Sequence, residues 1–426
     1  MQLYTRPLRG EAGAEQVLRA LASRARRRGA PPPAALTGDW FGGGAVLAPS
    51  VRVAAVPPER AFAVLDELPE VDGPEGAVGG GWFGFLGYDL AAGHQLPPAA
   101  WGWADHVLRR DCAGQWWFES LGEPDRGLVD ELAATVAGAG EPRRSWRAGP
   151  AAVPDADAHR EAVRACVEEI AAGEIFQANI CSRFRMPFDG DPLEVFAAGS
   201  ERFHPARAAY VAGDWGAVAS LSPELFLARE GRVVRSCPIK GTLPRRGRRD
   251  DGNAELLRRS AKDVAENVMI VDMARNDLGR IAEPGRVTTP HLLDVQPHPG
   301  VWHLVSEVRA ELADGAPHAE LLRAAYPPAS VTGTPKVRAL EIIDELEAQP
   351  RELYCGAVGA VSPAAGLQLN VAIRTLEHTA GTVQFGVGGG ITADSDPERE
   401  WQECLTKAAP LLSLLEGQPR AASTAS

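Results

Sequence analysis

Two pairs of carboxylates mark places where this chain could do chemistry. Asp263 and Glu266 stand three residues apart, and Glu400 and Glu403 repeat that spacing, with Lys407 four residues further on. Residues three or four apart share one face of a helix. Each pair therefore presents its oxygens together, and two carboxylates on one face can bind Mg²⁺. The plainer alternatives are a solvated acidic face and an intrahelical Glu403–Lys407 ion pair worth roughly 0.2–0.5 kcal/mol. Gly388, Gly389 and Gly390 precede the second pair. Read as a loop between a strand and a helix, they would offer free backbone N–H groups to an anion.

The lysines are the next signal. Lys and Arg together number 44, yet only Lys240, Lys262, Lys336 and Lys407 are lysine. Where a generic cation suffices, this chain uses Arg. Lysine is a compact charge whose pKa can be lowered enough to make it a nucleophile, and Arg cannot serve there. Lys240 sits in Cys237-Pro238-Ile239-Lys240-Gly241-Thr242, where the glycine allows close approach of a ligand; an exposed turn lysine is the alternative. Arg374 is the one charge in Asn370-Val371-Ala372-Ile373-Arg374-Thr375-Leu376. If buried it needs a carboxylate partner, and at a sheet edge it could point to solvent. Thr332-Gly333-Thr334-Pro335-Lys336 reads as a turn opening a helix, with Pro335 at its first position.

The frame around these residues is ordinary globular chain: 426 residues, 45% hydrophobic and 23% charged, with enough apolar material for a large core. A formal charge of -12 argues against nucleic acid or an anionic membrane as partner. No run approaches 18 uncharged apolar residues, and residues 1–30 lack the apolar segment of a signal peptide. The six cysteines are scattered without a C-x-x-C pair, as expected of reduced thiols in the cytoplasm.

Patterning divides the chain into a Gly/Pro/Trp-rich region over 1–145, a Pro/Arg/Ala-rich linker over 141–157, a region over 158–415 and a disordered tail over 417–426. Helical spacing predicts helices near 12–28, 58–68, 158–172, 260–273, 304–312, 337–346 and 397–415. Strand-like runs fall at 44–48, 82–88, 208–213, 225–228, 233–237, 357–362, 369–376 and 382–387. The mixture points to α+β organisation with largely antiparallel sheets.

Taken in order, Pro238-Ile239-Lys240-Gly241-Thr242, Ala265-Glu266-Asn267 through Arg275-Asn276-Asp277, Thr332-Gly333-Thr334-Pro335-Lys336, Tyr354-Cys355-Gly356, Ala372-Ile373-Arg374-Thr375-Leu376 and Gly388 through Lys407 resemble the chorismate-utilising enzymes. The likeness runs in register over about 158–415 and more weakly through Gly79 to Asp89. It is strongest to the branch that makes 4-amino-4-deoxychorismate, because Lys240 stands where anthranilate synthases usually carry Ala. Gln177 stands where isochorismate and salicylate synthases place a base lysine.

This resemblance implies two largely antiparallel sheets packed as a sandwich, with helices outside. It implies a Mg²⁺ held by Glu266 and Glu403, with Asp263 and Glu400 behind them. It further implies Arg374, Tyr354, Lys407, Gly388, Gly389, Gly390, Thr242, Gly333 and Thr334 around the substrate, Glu224 as general acid, Lys240 as nucleophile at C2, and His303 in the site. Chorismate and ammonia are the implied substrates, with ammonia delivered by a separate glutamine amidotransferase subunit. Anthranilate synthase component I and a non-catalytic chorismate-binding subunit remain as alternatives. The segment Asp39-Trp40-Phe41-Gly42-Gly43-Gly44 matches the tryptophan pocket of some relatives poorly, so no such site is expected.

Overall fold

The computed structural model describes residues 1–417 apart from Ala92, Glu141 and Pro142. The tail expected to be disordered lies outside the described residues except for Gly417. Two sheets carry the fold, one of 12 strands and one of 10, and every pairing between their strands is antiparallel. In each sheet the strands from before residue 145 form one block joined at a single seam to the strands from after residue 158: Ala34–Trp40 pairs with Arg207–Gly213, and Gly81–Leu86 pairs with Ala357–Ser362.

The facing sides of the sheets are lined by Leu36, Trp40, Val46, Phe83, Phe85, Val211, Val358 and Ala360, which form one core. On the outer face of the larger sheet, Phe184 and Phe385 pack with helices Ala14–Arg28, Pro192–Phe203 and Pro397–Leu415, the second of which contributes Phe196. On the outer face of the smaller sheet, Leu227, Val308 and Leu369 pack with helices Ala261–Gly279 and His318–Ala325. Both sheets are thus buried between apolar layers, the arrangement that hides two hydrophobic faces at once.

Five expectations from patterning need correction. Residues 304–312 form part of the strand Gly300–Leu312, not a helix. Leu304, Ser306, Val308, Ala310 and Leu312 are each 0–1% exposed, so the residues buried there recur every second position. Residues 369–376 are two strands in different sheets, Gly366–Val371 in the smaller and Thr375–Thr379 in the larger, with Arg374 at the crossing. The three glycines belong to the strand Thr382–Ile391, where Gly388, Gly389 and Gly390 pair with Cys181, Ile180 and Asn179 in turn. Residues 58–68 hold two short 3₁₀ turns, Pro58–Arg60 and Ala63–Asp66, rather than one helix. Proline 335 is the N-cap of the helix Lys336–Leu346, one residue ahead of its expected place.

Candidate active site

The carboxylates reach one another from two helices across the glycine strand. Ser260 caps helix Ala261–Gly279, accepting from the Asp263 N–H. Glu266 lies further along that helix and is buried. Asp396 caps helix Pro397–Leu415 in the same way, accepting from the Arg399 N–H. In that helix Trp401, Cys404, Ala408 and Leu411 face the core, while Glu400, Glu403 and Lys407 face the glycines. A β-carbon on Gly389 would stand 3.1 Å from Glu400 Oε2, 3.6 Å from Glu403 Oε1 and 3.9 Å from Lys407 Nζ. One on Gly390 would stand 2.8 Å from Gln177 Nε2 and 3.3 Å from Glu266 Oε2. The glycines therefore make room for side chains on both faces of their strand.

Cations bind this acidic group together. Lys262 Nζ lies 3.8 Å from Glu266 Oε1 and 3.4 Å from Glu400 Oε1. Ser395 donates to the same Glu400 oxygen at 2.7 Å. Lys407 Nζ pairs with Glu403 Oε1 at 2.6 Å and donates to the Gly388 carbonyl at 2.7 Å. Burial pushes the Glu266 carboxyl up, and Lys240 and Lys262 only partly oppose it. At Glu403 burial also pushes up, but Lys407, Lys262 and Lys240 outweigh it and hold the carboxyl below its usual range.

Lys240 approaches from strand Ile239–Arg245, its Nζ 4.0 Å from Glu266 Oε2. The next residue, Gly241, has φ 82°, and a β-carbon there would lie 3.0 Å from the Asp263 side chain. Only glycine suits that left-handed, crowded position. Glu224, between strands Gly216–Ser222 and Leu225–Glu230, is 4% exposed. Burial raises its carboxyl to about 7, against the opposing pull of Ser330, Lys240, the Ile239 amide and Arg374. A carboxyl held there is a proton donor near neutral pH.

Arg374 has φ 48° and is exposed to solvent, yet surrounding protein lowers its pKa by desolvation, with Glu224 opposing. A water-filled cleft walled by protein meets both conditions. It forms no ion pair among the described residues, so the carboxylate partner expected for a buried Arg is not part of this chain's own packing. His303 is 2% exposed, and its Nδ1 lies 2.8 Å from Thr242 Oγ1. Burial, Arg374 and His298 lower its pKa to about 3, so the ring is neutral near pH 7. Tyr354 is buried against Gly386, and burial pushes its phenol well up.

Gly333 and Thr334 border the strand that carries Gln177. They pair with Ala178 and Gln177, and Thr334 Oγ1 lies 3.6 Å from the Met273 sulfur. Lys336 is structural: it is paired with Asp277 at 2.6 Å and donates to the carbonyls of Ala325 and Pro327. The structure adds two residues to the site. Lys262 bridges the two carboxylate helices, and the scarcity of lysine was its one signal. Gln177 is 1% exposed with both amide atoms unpartnered beside Gly390.

Among the described residues no three acidic, His or Cys side chains converge on one point. Mg²⁺ is commonly held by one or two protein carboxylates, with water and substrate oxygens completing the shell. Glu266 and Glu403, hard oxygen donors on either side of the glycine strand, fit that chemistry.

The family model described as chorismate binding enzyme matches residues 50–413. Aminodeoxychorismate synthase component 1 of Escherichia coli (strain K12) is 37% identical over 354 residues, 79% of this chain and 77% of that protein. Anthranilate synthase component 1 of Aquifex aeolicus is 35% identical over 257 residues, 60% of this chain and 52% of that protein. Among solved structures, the menaquinone-specific isochorismate synthase of Escherichia coli superposes with a TM-score of 0.72 at 20% identity, covering 97% of this chain and 94% of that one. No helix among the described residues is long and apolar enough to cross a membrane.

Proposed function

The chain belongs to the chorismate-binding enzyme family, and from that premise we propose that it is an aminodeoxychorismate synthase component I, converting chorismate and ammonia to 4-amino-4-deoxychorismate. The observation that carries this reading is the position of Lys240, an amine 4.0 Å from Glu266 and close enough to Glu224 to depress that carboxyl's pKa. A nucleophile and a proton donor thus face one cleft.

In the reaction, Arg374 and Lys407 bind the substrate carboxylates, assisted by Tyr354 and the backbone of Gly388, Gly389 and Gly390. Thr242, held by His303, lies beside Lys240 on the same strand, and Gly333 and Thr334 support the strand that carries Gln177. Glu266 and Glu403 would hold Mg²⁺, with Asp263 and Glu400 orienting them. When bound there, Mg²⁺ would supply Lewis-acid withdrawal of electrons from the ring carboxylate.

Lys240 first gives up a proton to solvent. Its amine then adds at C2, both ring double bonds shift by one position, and the C4–O bond breaks as Glu224 donates its proton to the departing hydroxyl. Ammonia next forms the C4–N bond, both double bonds shift back, the C2–Lys240 bond breaks to restore the free amine, and the new ammonium group loses a proton to solvent. Ammonia reaches the site from a separate glutamine amidotransferase subunit or from free ammonium. The product enters the para-aminobenzoate route, and the setting is cytoplasmic.

Product identification tests this reading. Purified chain, chorismate, Mg²⁺ and excess ammonium are incubated at mildly alkaline pH, and an aminodeoxychorismate lyase is then added. Para-aminobenzoate appearing only after lyase addition is expected. Anthranilate formed without lyase would place amination at C2 and overturn the assignment.

A further inference from the structure

A second cavity, of about 800 Å³, opens where Phe62, Tyr88, Tyr326, Leu340, Ile343 and Arg351 meet. None of Lys240, Glu224, Glu266 or Glu403 lines it. Its size is that of a small-molecule site, and its walls are mainly apolar and aromatic. Tyr88 is 7% exposed, and its hydroxyl is buried without a hydrogen-bond partner. A buried hydroxyl left unpaired is costly, so this group calls for a ligand. The neighbouring Tyr326 hydroxyl, by contrast, already donates to the Leu86 and Gly87 carbonyls.

The charged groups on the wall have polar partners or face solvent. Asp89 lies 3.0 Å from His94, and Glu347 lies 2.6 Å from Arg351. Arg323 and Asp344, both exposed, are opposite in sign. What remains is ring-lined apolar space and one free hydroxyl.

Arg351 links this cavity to the cleft. Its guanidinium lies over the Tyr88 ring, 4.5 Å from the centroid. It donates to the Val331 carbonyl at 2.7 Å and to the Asn179 carbonyl at 2.5 Å. Val331 follows Ser330, the hydrogen-bond partner of Glu224. Asn179 pairs across the sheet with Gly390. A molecule that draws on Tyr88 therefore acts on both supports of the catalytic cleft through one side chain.

We propose that this cavity is an effector site for an uncharged aromatic molecule bearing one hydrogen-bonding group, which pairs with the Tyr88 hydroxyl and changes the binding of chorismate through Arg351. The proposal does not depend on which amino product the enzyme makes, because its readouts are ligand binding and chorismate consumption.

The test titrates the full chain with phenol and with indole by calorimetry, and measures the KM for chorismate with and without saturating probe. Saturable binding of at least one probe is expected, about tenfold weaker in Tyr88→Phe and lost in Leu340→Trp, which fills the space. The chorismate KM should shift at least threefold with probe in the unmodified protein and not at all in the Leu340 variant. Should that variant fail to fold, Tyr88→Phe, which keeps the ring, must still show the weakened binding and a correspondingly weaker KM shift. Three results would overturn the proposal: no saturable binding, binding unaffected by both substitutions, or binding that leaves the KM unchanged.

Discussion

The Nζ of Lys240 lies 4.0 Å from Glu266 Oε2, and the other oxygen of that carboxylate lies 3.8 Å from Lys262. One buried carboxylate thus faces two of the chain's four lysines. This gives the two amines different roles. Lys262 continues to Glu400 and ties two helices together, whereas Lys240 makes no second ion pair among the described residues.

Glu224 sets an expected pH dependence. Its carboxyl titrates near 7 in the folded protein against a reference of 4.5, chiefly through burial. As the proton donor it must be protonated, so kcat/KM at fixed free ammonia should fall as pH rises through about 7. Glu224→Gln should remove that limb and lower kcat by about 10²–10⁴. The same shift bears on stability. From about pH 4.5 to 7 the unfolded chain releases this proton while the folded protein retains it, so stability from this group is lost as pH rises and levels off above 7. At pH 8 the Gln variant should be more stable by about 1–3 kcal/mol, read from urea unfolding.

The glycine strand makes a steric prediction. Gly390→Ala places a methyl 2.8 Å from Gln177 Nε2 and 3.3 Å from Glu266 Oε2. Expected is a loss in kcat/KM of about tenfold or more, the scale of one misplaced group in a close-fitting site, with the circular dichroism spectrum unchanged. Full activity would mean that the substrate does not approach this face.

Metal dependence should distinguish the carboxylates. Glu403→Gln is expected to raise the Mg²⁺ concentration for half-maximal rate by about 10–100-fold, and Glu400→Gln by less, because Glu400 is engaged by Ser395 and Lys262. Rate measurements across a Mg²⁺ titration, with direct binding of Mn²⁺ as a second readout, check the order.

A structural pair holds the Tyr354 segment. Arg183 meets the fully buried Glu377 at 2.6 Å, and Glu377 also accepts from the Tyr354 N–H at 3.0 Å. Arg183→Met leaves a buried carboxylate unpaired and should cost about 3–5 kcal/mol in urea unfolding. The double variant with Glu377→Gln should recover much of that loss.

Much of this organisation is legible in the residues themselves. Helix 397–415 is visible from its spacing, and strands 233–237 and 357–362 from their β-branched runs. The carboxylate pairs at Asp263/Glu266 and Glu400/Glu403 are visible as shared helix faces. Other features depend on tertiary partners. The apolar run around Arg374 looks like one strand because both of its ends are buried, but they enter different sheets, and a single left-handed residue makes the crossing. Residues 304–312 mix charged and apolar positions at a spacing that suits either period, and only the strands on both sides select period two. Gly388 to Gly390 look like a loop because glycine is poor in strands; here the bulk of facing carboxylates makes glycine the residue that fits. Lys262 reads as a solvated lysine until a helix more than a hundred residues away brings Glu400 beside it.

The covalent role of Lys240 is tested most directly by intact-protein mass spectrometry on enzyme mixed with chorismate and Mg²⁺ in the absence of ammonia and quenched in acid. The expected result is a species heavier by chorismate less one water, mapped to the peptide containing Lys240 and absent from Lys240→Ala. No adduct, together with undiminished formation of the 4-amino product by Lys240→Ala, would contradict it.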